Sequence, residues 1–142
     1  MLLMKNRLLL CTVFSYLLIC PSACKKYINS QEENIIVNLV TNGTWRVTKY
    51  LDNQTDITDS FAGYVFQFNQ NGTVQGILGG QSTAGTWVAN VDARTIQADF
   101  LSAGDPLKEL NHTWKITDSY SDSVSAQTAV DSTYNFLELH KN

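Results

Sequence analysis

The spacing of hydrophobic positions along this chain changes near residue 44. Before that point, four apolar residues fall on one face of a helix with 3.6 residues per turn. Ser30-Gln31-Glu32-Glu33 matches a capping box, in which a hydroxyl and a carboxylate each accept a hydrogen bond from a free backbone N–H at the start of a helix. Asn42-Gly43 is typical of the end of a helix. The sequence therefore predicts one short helix, about residues 31–40, with an apolar face that covers another part of the protein. The residues of that face are Ile35, Ile36, Leu39 and Val40.

From Thr44 onward, hydrophobic and polar residues alternate with the period of two that is typical of half-buried strands. The short connections between these runs favour an antiparallel meander. Asn71-Gly72, between the second and third runs, predicts a hairpin with a type I′ turn, which needs φ > 0 at both central residues. The eight runs are centred on Trp45–Val47, Tyr64–Phe68, Val74–Leu78, Gly85–Trp87, Ile96–Phe100, Trp114–Ile116, Val124–Ala126 and Leu137–Leu139.

One segment between the fifth and sixth runs interrupts the alternation. Asp105 is a suitable helix cap, and Pro106 after it suits the first helical position. Leu107 and Leu110 make a small apolar face. We expect a helix of one to two turns here.

Eight meandering strands leave two sheet edges, and closing the sheet into a barrel removes both. The predicted fold is therefore all-β, an eight-stranded antiparallel barrel with a short N-terminal helix. Such a barrel is just wide enough to be filled by side chains or to hold one small ligand. Many of the predicted inward positions are aromatic, which favours a mostly filled interior. These are Trp45, Tyr64, Phe66, Phe68, Trp87, Phe100 and Trp114.

Four small inward residues could leave a modest cavity within that interior, with the helix at residues 106–110 close to one mouth. Together with two of the aromatic residues they form the predicted lining of a site for a small apolar ligand. The lining residues are Tyr64, Phe66, Gly76, Gly85, Ala98 and Ala126.

The N-terminal segment has the layout of a bacterial lipoprotein signal. Lys5 and Arg7 precede an apolar run from Leu8 to Cys20, which at 13 residues is too short to span a membrane but suits a signal peptide. Small residues then lead directly to Cys24, the position at which lipoproteins are acylated. Pro21 stands where such signals usually have Leu, and a plain cleaved signal with an incidental cysteine is the alternative.

This signal divides the chain into residues 1–23 (signal peptide), 24–30 (tether) and 31–142 (barrel domain). The mature chain then has one cysteine and cannot form an internal disulfide. Acylation of Cys24 would remove a free thiol from an oxidising compartment and anchor the protein in a membrane. We expect an exported protein, lipid-anchored in the cell envelope, with the outer membrane as its location.

Charge and side-chain chemistry exclude several classes of function. The mature chain has eight Lys and Arg against 13 Asp and Glu, a net charge of −5, and no basic cluster, so nucleic-acid binding is not expected. His112 and His140 lie far apart and beside no other metal ligands, and no nucleophile motif is present. The sequence therefore predicts a protein that is not an enzyme and has no metal or cofactor.

Acidic and amide residues crowd one loop after the first strand. Their oxygen atoms could hold calcium, but the spacing differs from an EF-hand loop. A solvated loop with Asx turns is the favoured interpretation. These residues are Asp52, Asn53, Asp56 and Asp59.

Gly43-Thr44-Trp45, directly after a short helix, resembles the Gly-x-Trp element of lipocalins. Over about residues 43–142 the chain is similar to the lipocalin-like domains of Gram-negative envelope lipoproteins. The resemblance implies that Trp45 packs across the closed end of the barrel under the N-terminal helix, and that a small apolar molecule binds in the mouth. The alternative is a structural or protein-interaction module with a packed barrel. The motifs that carry the resemblance are Gly43–Thr48, Phe61–Asn69, Asn71–Val74, Gly85–Trp87, Pro106–Asn111 before Trp114, and Tyr134–Lys141.

Overall fold

The computed structural model describes residues 35–128 and 134–142. Residues 35–41 form a helix, α1, and two 3-10 helices follow later, η1 (Thr58–Phe61) and η2 (Leu107–Leu110). Nine strands make up the remainder of the regular structure in these described residues. They are β1 (Trp45–Asp52), β2 (Thr55–Asp56), β3 (Val65–Phe68), β4 (Thr73–Leu78), β5 (Gln81–Asn90), β6 (Thr95–Asp99), β7 (Thr113–Ser119), β8 (Ser123–Thr128) and β9 (Asn135–Lys141).

The strands form one antiparallel sheet that closes on itself. Each strand from β3 to β8 pairs with the next in sequence, and β9 pairs with β1 along its whole length, from Trp45↔Lys141 to Asp52↔Asn135. The two-residue strand β2 only extends the turn after β1. The eight remaining strands coincide with the eight alternating runs of the sequence, so the predicted eight-stranded antiparallel barrel is confirmed.

Strands β1 and β3 are joined by a single residue pair, Trp45↔Phe66, and their boundary is the seam of the barrel. η1 covers the rest of this seam. The Tyr50 amide donates to the Thr58 hydroxyl at 2.9 Å, and the Ile57 amide donates to the Tyr50 carbonyl at 3.0 Å. The barrel therefore closes partly through a helical turn rather than through strand pairing.

Both predicted helices are present, with corrected ends. The N-terminal helix continues to residue 41, and its predicted start at residue 31 lies outside the described residues, as do the signal peptide and the tether. The second helix is a single 3-10 turn that begins at Leu107. Pro106 occupies the N-cap position and no side chain caps this helix, so the prediction that Asp105 caps it was wrong.

The hairpin at Asn71-Gly72 is confirmed, but its predicted type I′ turn is wrong. Gly72 has φ of +81°, whereas Asn71 is not in the positive-φ region. The Gly72 amide donates to the Asn69 carbonyl at 3.1 Å, and the Asn69 amide donates to the Thr73 carbonyl at 2.8 Å. This is a type I turn closed by a glycine bulge, which needs only one residue with φ > 0.

A β-bulge changes which residues of β1 face the core. The pairing with β9 shifts between Val47 and Lys49, so inward positions are odd-numbered before the bulge and even-numbered after it. Trp45 faces the interior on one side of the shift, and Tyr50 on the other side is completely buried. The alternation in the sequence does not reveal this change of phase.

Aromatic side chains fill much of the barrel interior. Six of the seven aromatic residues predicted to face inward are buried, and Tyr64 is half-buried. Tyr50 and Phe61 join them, with their rings stacked 5.2 Å apart. The buried six are Trp45, Phe66, Phe68, Trp87, Phe100 and Trp114.

Candidate functional site

A cavity of about 50 Å³ lies inside the barrel. Every residue that lines it is aliphatic or aromatic, so it offers no polar partner to a bound water and favours apolar contents. The cavity extends from α1 at one end of the barrel to η2 at the other. Its lining consists of Val40, Trp45, Phe66, Phe68, Ile96, Ala98, Phe100, Leu110, Trp114, Ile116, Val124, Ala126, Leu137 and Leu139.

Three of the six predicted ligand contacts line this cavity, namely Phe66, Ala98 and Ala126. Tyr64 is not among the lining residues. Its half-buried ring, just before β3, stacks on Phe66 with centroids 6.0 Å apart. Tyr64 therefore packs against a lining residue and does not itself border the cavity.

Gly76 and Gly85 are also outside the lining, because other side chains occupy the space above them. A Cβ atom on Gly76 would lie 2.9 Å from Leu107 Cδ2. A Cβ atom on Gly85 would lie 2.6 Å from the Asp99 carbonyl oxygen and 2.8 Å from Phe100 Cδ1. These glycines accommodate close packing in the closed barrel, and they do not border its free volume.

One end of the barrel is closed by α1. The indole of Trp45 at the start of β1 is buried and donates to the Val40 carbonyl at 2.8 Å. The Lys141 ammonium lies 5.2 Å from the centroid of the same ring, a cation–π distance. This arrangement agrees with the predicted place of Trp45 at the closed end.

The opposite end, where a lipocalin-like barrel would have its mouth, is covered by η1 and η2. The Tyr50 hydroxyl donates to the Glu109 carbonyl at 2.5 Å. The Tyr50 ring also packs against Trp114 in a T-shaped arrangement, with centroids 5.7 Å apart. The Trp114 indole in turn donates to the Leu110 carbonyl at 3.1 Å. Side chains from β1 and β7 thus hold η2 over the mouth.

Burial raises the pKa of the Tyr50 hydroxyl far above its usual value. The carboxylates of Glu109 and Asp52 raise this pKa further, since a phenolate would be repelled by both. The Asn135 side chain acts in the opposite direction. The hydroxyl therefore keeps its proton, which it needs to donate to the Glu109 carbonyl.

A buried asparagine organises the polar groups beside this mouth. Asn135 is 3% exposed, and its side-chain oxygen accepts from the Asn53 amide at 3.2 Å. Its side-chain nitrogen lies 3.4 Å from His112 Nε2, and the His112 ring packs edge-on against Trp114. Tyr50 and Asn135 could not be predicted from the sequence, since neither belongs to a motif. Leu107 was predicted, because it lies on the apolar face of a short helix.

The acidic loop after β1 contains an ion pair and an Asx turn. The Lys49 ammonium lies 2.6 Å from Asp56 Oδ2, and the Thr58 amide and hydroxyl both donate to Asp56 Oδ1. The Lys49 contact and then the Thr58 hydrogen bonds hold the pKa of the Asp56 carboxyl well below its usual range. The predicted Asx turn is thus present at Asp56.

Other candidate groups are positioned apart from the cavity. His140 in β9 contacts Glu138 Oε1 at 2.9 Å on the barrel surface, far in sequence from His112. Within residues 35–128 and 134–142, no three His, Cys, Asp or Glu side chains are grouped closely enough to hold a metal ion. In this described part of the chain, none of the helices has the length and apolar character needed to cross a membrane. Cys24 lies outside the described residues.

A second concavity, of about 510 Å³, lies on the barrel surface next to the turn between β5 and β6. Its walls contain both apolar and polar residues, and Val88 among them is 60% exposed. The residues around it are Val88, Ala89, Asn90, Val91, Asp92, Thr95, Gln97 and Thr113.

Comparison with known proteins shows similarity at the level of structure. No protein-family model matches the chain, and no curated protein matches it. Among solved structures, it is similar to the crystal structure of a DUF4847 family protein from Bacteroides vulgatus ATCC 8482, with a TM-score of 0.57 and 15% sequence identity. The match covers 75% of this chain and 97% of that chain. At this identity the similarity establishes a shared barrel fold and nothing about activity.

Proposed function

We propose that this chain is a non-catalytic, lipid-anchored protein of the cell envelope whose barrel binds a small apolar molecule. The observation that carries the ligand proposal is the entirely apolar cavity inside the barrel, where Ala98 and Ala126 provide small walls. The lipoprotein-like signal ending at Cys24 supports the anchor and an outer-membrane location. The resemblance to lipocalin-like domains supports both parts of the proposal.

The volume of the cavity limits what it can hold in the closed barrel. At about 50 Å³ it is smaller than the roughly 150 Å³ apolar cavity that accommodates benzene or xenon in a protein core. Pockets for larger ligands usually measure about 300–1,000 Å³. A ligand of more than a few heavy atoms therefore requires the barrel to open or repack.

The direct test is native mass spectrometry of the mature protein purified from its own membranes. We expect an adduct that persists under native conditions and is lost on denaturation, unlike a covalent lipid. Ala98→Leu should remove this adduct, because the new side chain projects into the cavity. Ala84→Leu is the matched control, since Ala84 is exposed on β5 and the variant should keep the adduct.

The second candidate function is a packed module that binds a partner protein through its outer surface. The small cavity volume and the surface concavity near Val88 favour it. It predicts no native adduct. It also predicts that Ala98→Leu costs about 1–3 kcal/mol of stability, as overpacking a full core does. Absence of the adduct together with this penalty would replace the ligand proposal with the packed module.

A further inference from the structure

We infer that residues 100–111 form a lid over the cavity, which the Tyr50 hydroxyl and the Leu107 side chain hold shut. The two ends of this lid lie together, because the Phe100 amide donates to the Asn111 side-chain oxygen at 2.6 Å. A compact surface segment of this length with its ends tied together is an Ω-loop, a type of loop that is frequently functional. The hydrogen bond at its neck allows the lid to move as a unit.

The backbone hydrogen bonds within the lid are separate from those of the barrel. The Ala103, Lys108 and Glu109 amides donate to carbonyls of the lid itself, at 3.0–3.3 Å. β6 and β7 lie on either side of the lid. They pair through Gln97↔Thr113, Ile96↔Trp114 and Thr95↔Lys115. Lifting the lid therefore leaves the strand pairing intact, and segments of this kind open at a lower free energy than the strands.

Beyond its neck, the lid is held to the barrel by the Trp114 indole, which donates to the Leu110 carbonyl at 3.1 Å, and by two further contacts that a single substitution can remove. The first is the hydrogen bond from the Tyr50 hydroxyl to the Glu109 carbonyl at 2.5 Å. The second is the buried Leu107 side chain, which fills the space that Gly76 leaves on β4. A Cβ atom on Gly76 would lie 2.9 Å from Leu107 Cδ2 and 3.5 Å from Phe66, so the leucine fits only because this residue is a glycine.

Opening the lid enlarges the apolar site. Phe66 lines the cavity and also borders the space above Gly76, so withdrawal of Leu107 joins that space to the cavity. Leu110, which lines the cavity directly, lies in the same short helix. A ligand with an alkyl chain too long for 50 Å³ then enters where these leucines had been. This consequence rests on the proposed ligand function, whereas the lid motion itself does not.

Hydrogen exchange followed by mass spectrometry tests the lid on the full mature protein without ligand. Tyr50→Phe removes the hydroxyl and keeps the ring, so amides of residues 101–111 should exchange about tenfold faster, the effect of losing one buried hydrogen bond. The exchange of the strand amides should change far less. Tyr120→Phe is the matched control, because Tyr120 is 66% exposed in the hairpin between β7 and β8, and it should change nothing.

Leu107→Ala provides a second variant that acts on the other contact, and it should also speed exchange of residues 101–111 selectively. Unchanged lid exchange in both variants, or an equal rise across all strands, would overturn the lid. Uptake of cis-parinaric acid separates the lid from the ligand proposal. About tenfold faster uptake by Tyr50→Phe supports both, because more molecules are open at any moment. Faster lid exchange with no uptake by any variant supports the lid and overturns the ligand proposal.

Discussion

The indole nitrogen of Trp45 donates a hydrogen bond of 2.8 Å to the carbonyl oxygen of Val40. Val40 lies in the last turn of α1, where backbone carbonyls have no partner within the helix. The Trp45 side chain therefore provides a hydrogen-bond partner for one of these free carbonyls, and it also fills the end of the barrel. Ile36 and Leu39 pack partly buried against the core as expected, but Ile35 is 64% exposed, so its predicted place on the covered face of the helix was wrong.

Truncation of Trp45 should therefore be strongly destabilising. We expect Trp45→Ala to lower the free energy of unfolding by about 3–5 kcal/mol, as aromatic truncations in cores do. Trp45→Phe keeps most of the apolar surface and should cost less. Urea unfolding measures both, with the exposed residue Tyr120→Ala as a control expected to stay within about 0.5 kcal/mol. A loss below about 1 kcal/mol for Trp45→Ala would contradict the closed-end assignment.

Gly85→Ala should destabilise the barrel, although Gly85 faces inward next to a cavity wall. The added Cβ would lie 2.6 Å from the Asp99 carbonyl oxygen, and backbone in a paired strand cannot easily move away. We expect a cost of about 1–3 kcal/mol in thermal or urea unfolding. Gly104→Ala is the matched control, because among the described residues no atom beyond its chain neighbours lies within 4 Å of the added Cβ. Equal stability of the two variants would mean that the strand has room at Gly85.

The turn between β3 and β4 can be tested by two substitutions at adjacent positions. Gly72→Ala places a side chain at φ of +81° and should cost about 1–2 kcal/mol. Asn71→Ala loses only the exposed hydrogen bonds from the Thr73 amide and hydroxyl, at 3.1 and 2.7 Å, and should cost less than about 1 kcal/mol. Equal costs of about 1–2 kcal/mol would instead indicate a type I′ turn, with both residues in the left-handed region.

The pKa of Asp56 predicts part of the response to acid. Because the folded state lowers this pKa, the carboxylate contributes stability above its unfolded pKa of about 4. That contribution is lost as the pH falls toward the lowered value. The melting temperature should thus drop less between pH 6 and pH 3 in Asp56→Asn than in the parent protein. Asp118→Asn, at an exposed position in β7, controls for the loss of one negative charge. If the melting temperature of Asp118→Asn drops as little as that of Asp56→Asn, the lowered pKa of Asp56 is not the cause.

Acylation of Cys24 is tested by metabolic labelling with a fatty acid. Cys24→Ser should leave an unprocessed precursor without label, because the hydroxyl cannot replace the thiol in the lipid transfer. Cys20→Ser serves as control, since Cys20 belongs to the segment that is removed, and it should be labelled and processed normally. Label that persists in Cys24→Ser would show that the cysteine is incidental.

Local patterns predicted the strands because burial on one face of a sheet imposes alternation along the chain itself. They failed where a long-range contact overrides the local rule. Tyr50 became a core residue because β1 contains a bulge after Val47, and this bulge is visible only in the pairing with β9. Asn135 likewise acquired its role from Asn53 and His112, which are distant in sequence.

The sequence by itself determined the barrel, the number of its main strands and the aromatic filling, since all three follow from the order of residues within short segments. Only the tertiary structure decided where free volume remains. Whether an inward glycine leaves a gap depends on which distant side chain reaches it. Leu107 fills the space at Gly76 and Phe100 fills the space at Gly85, whereas Ala98 and Ala126 keep an open volume between them. Close packing is settled by neighbours across the fold, and no local pattern records them.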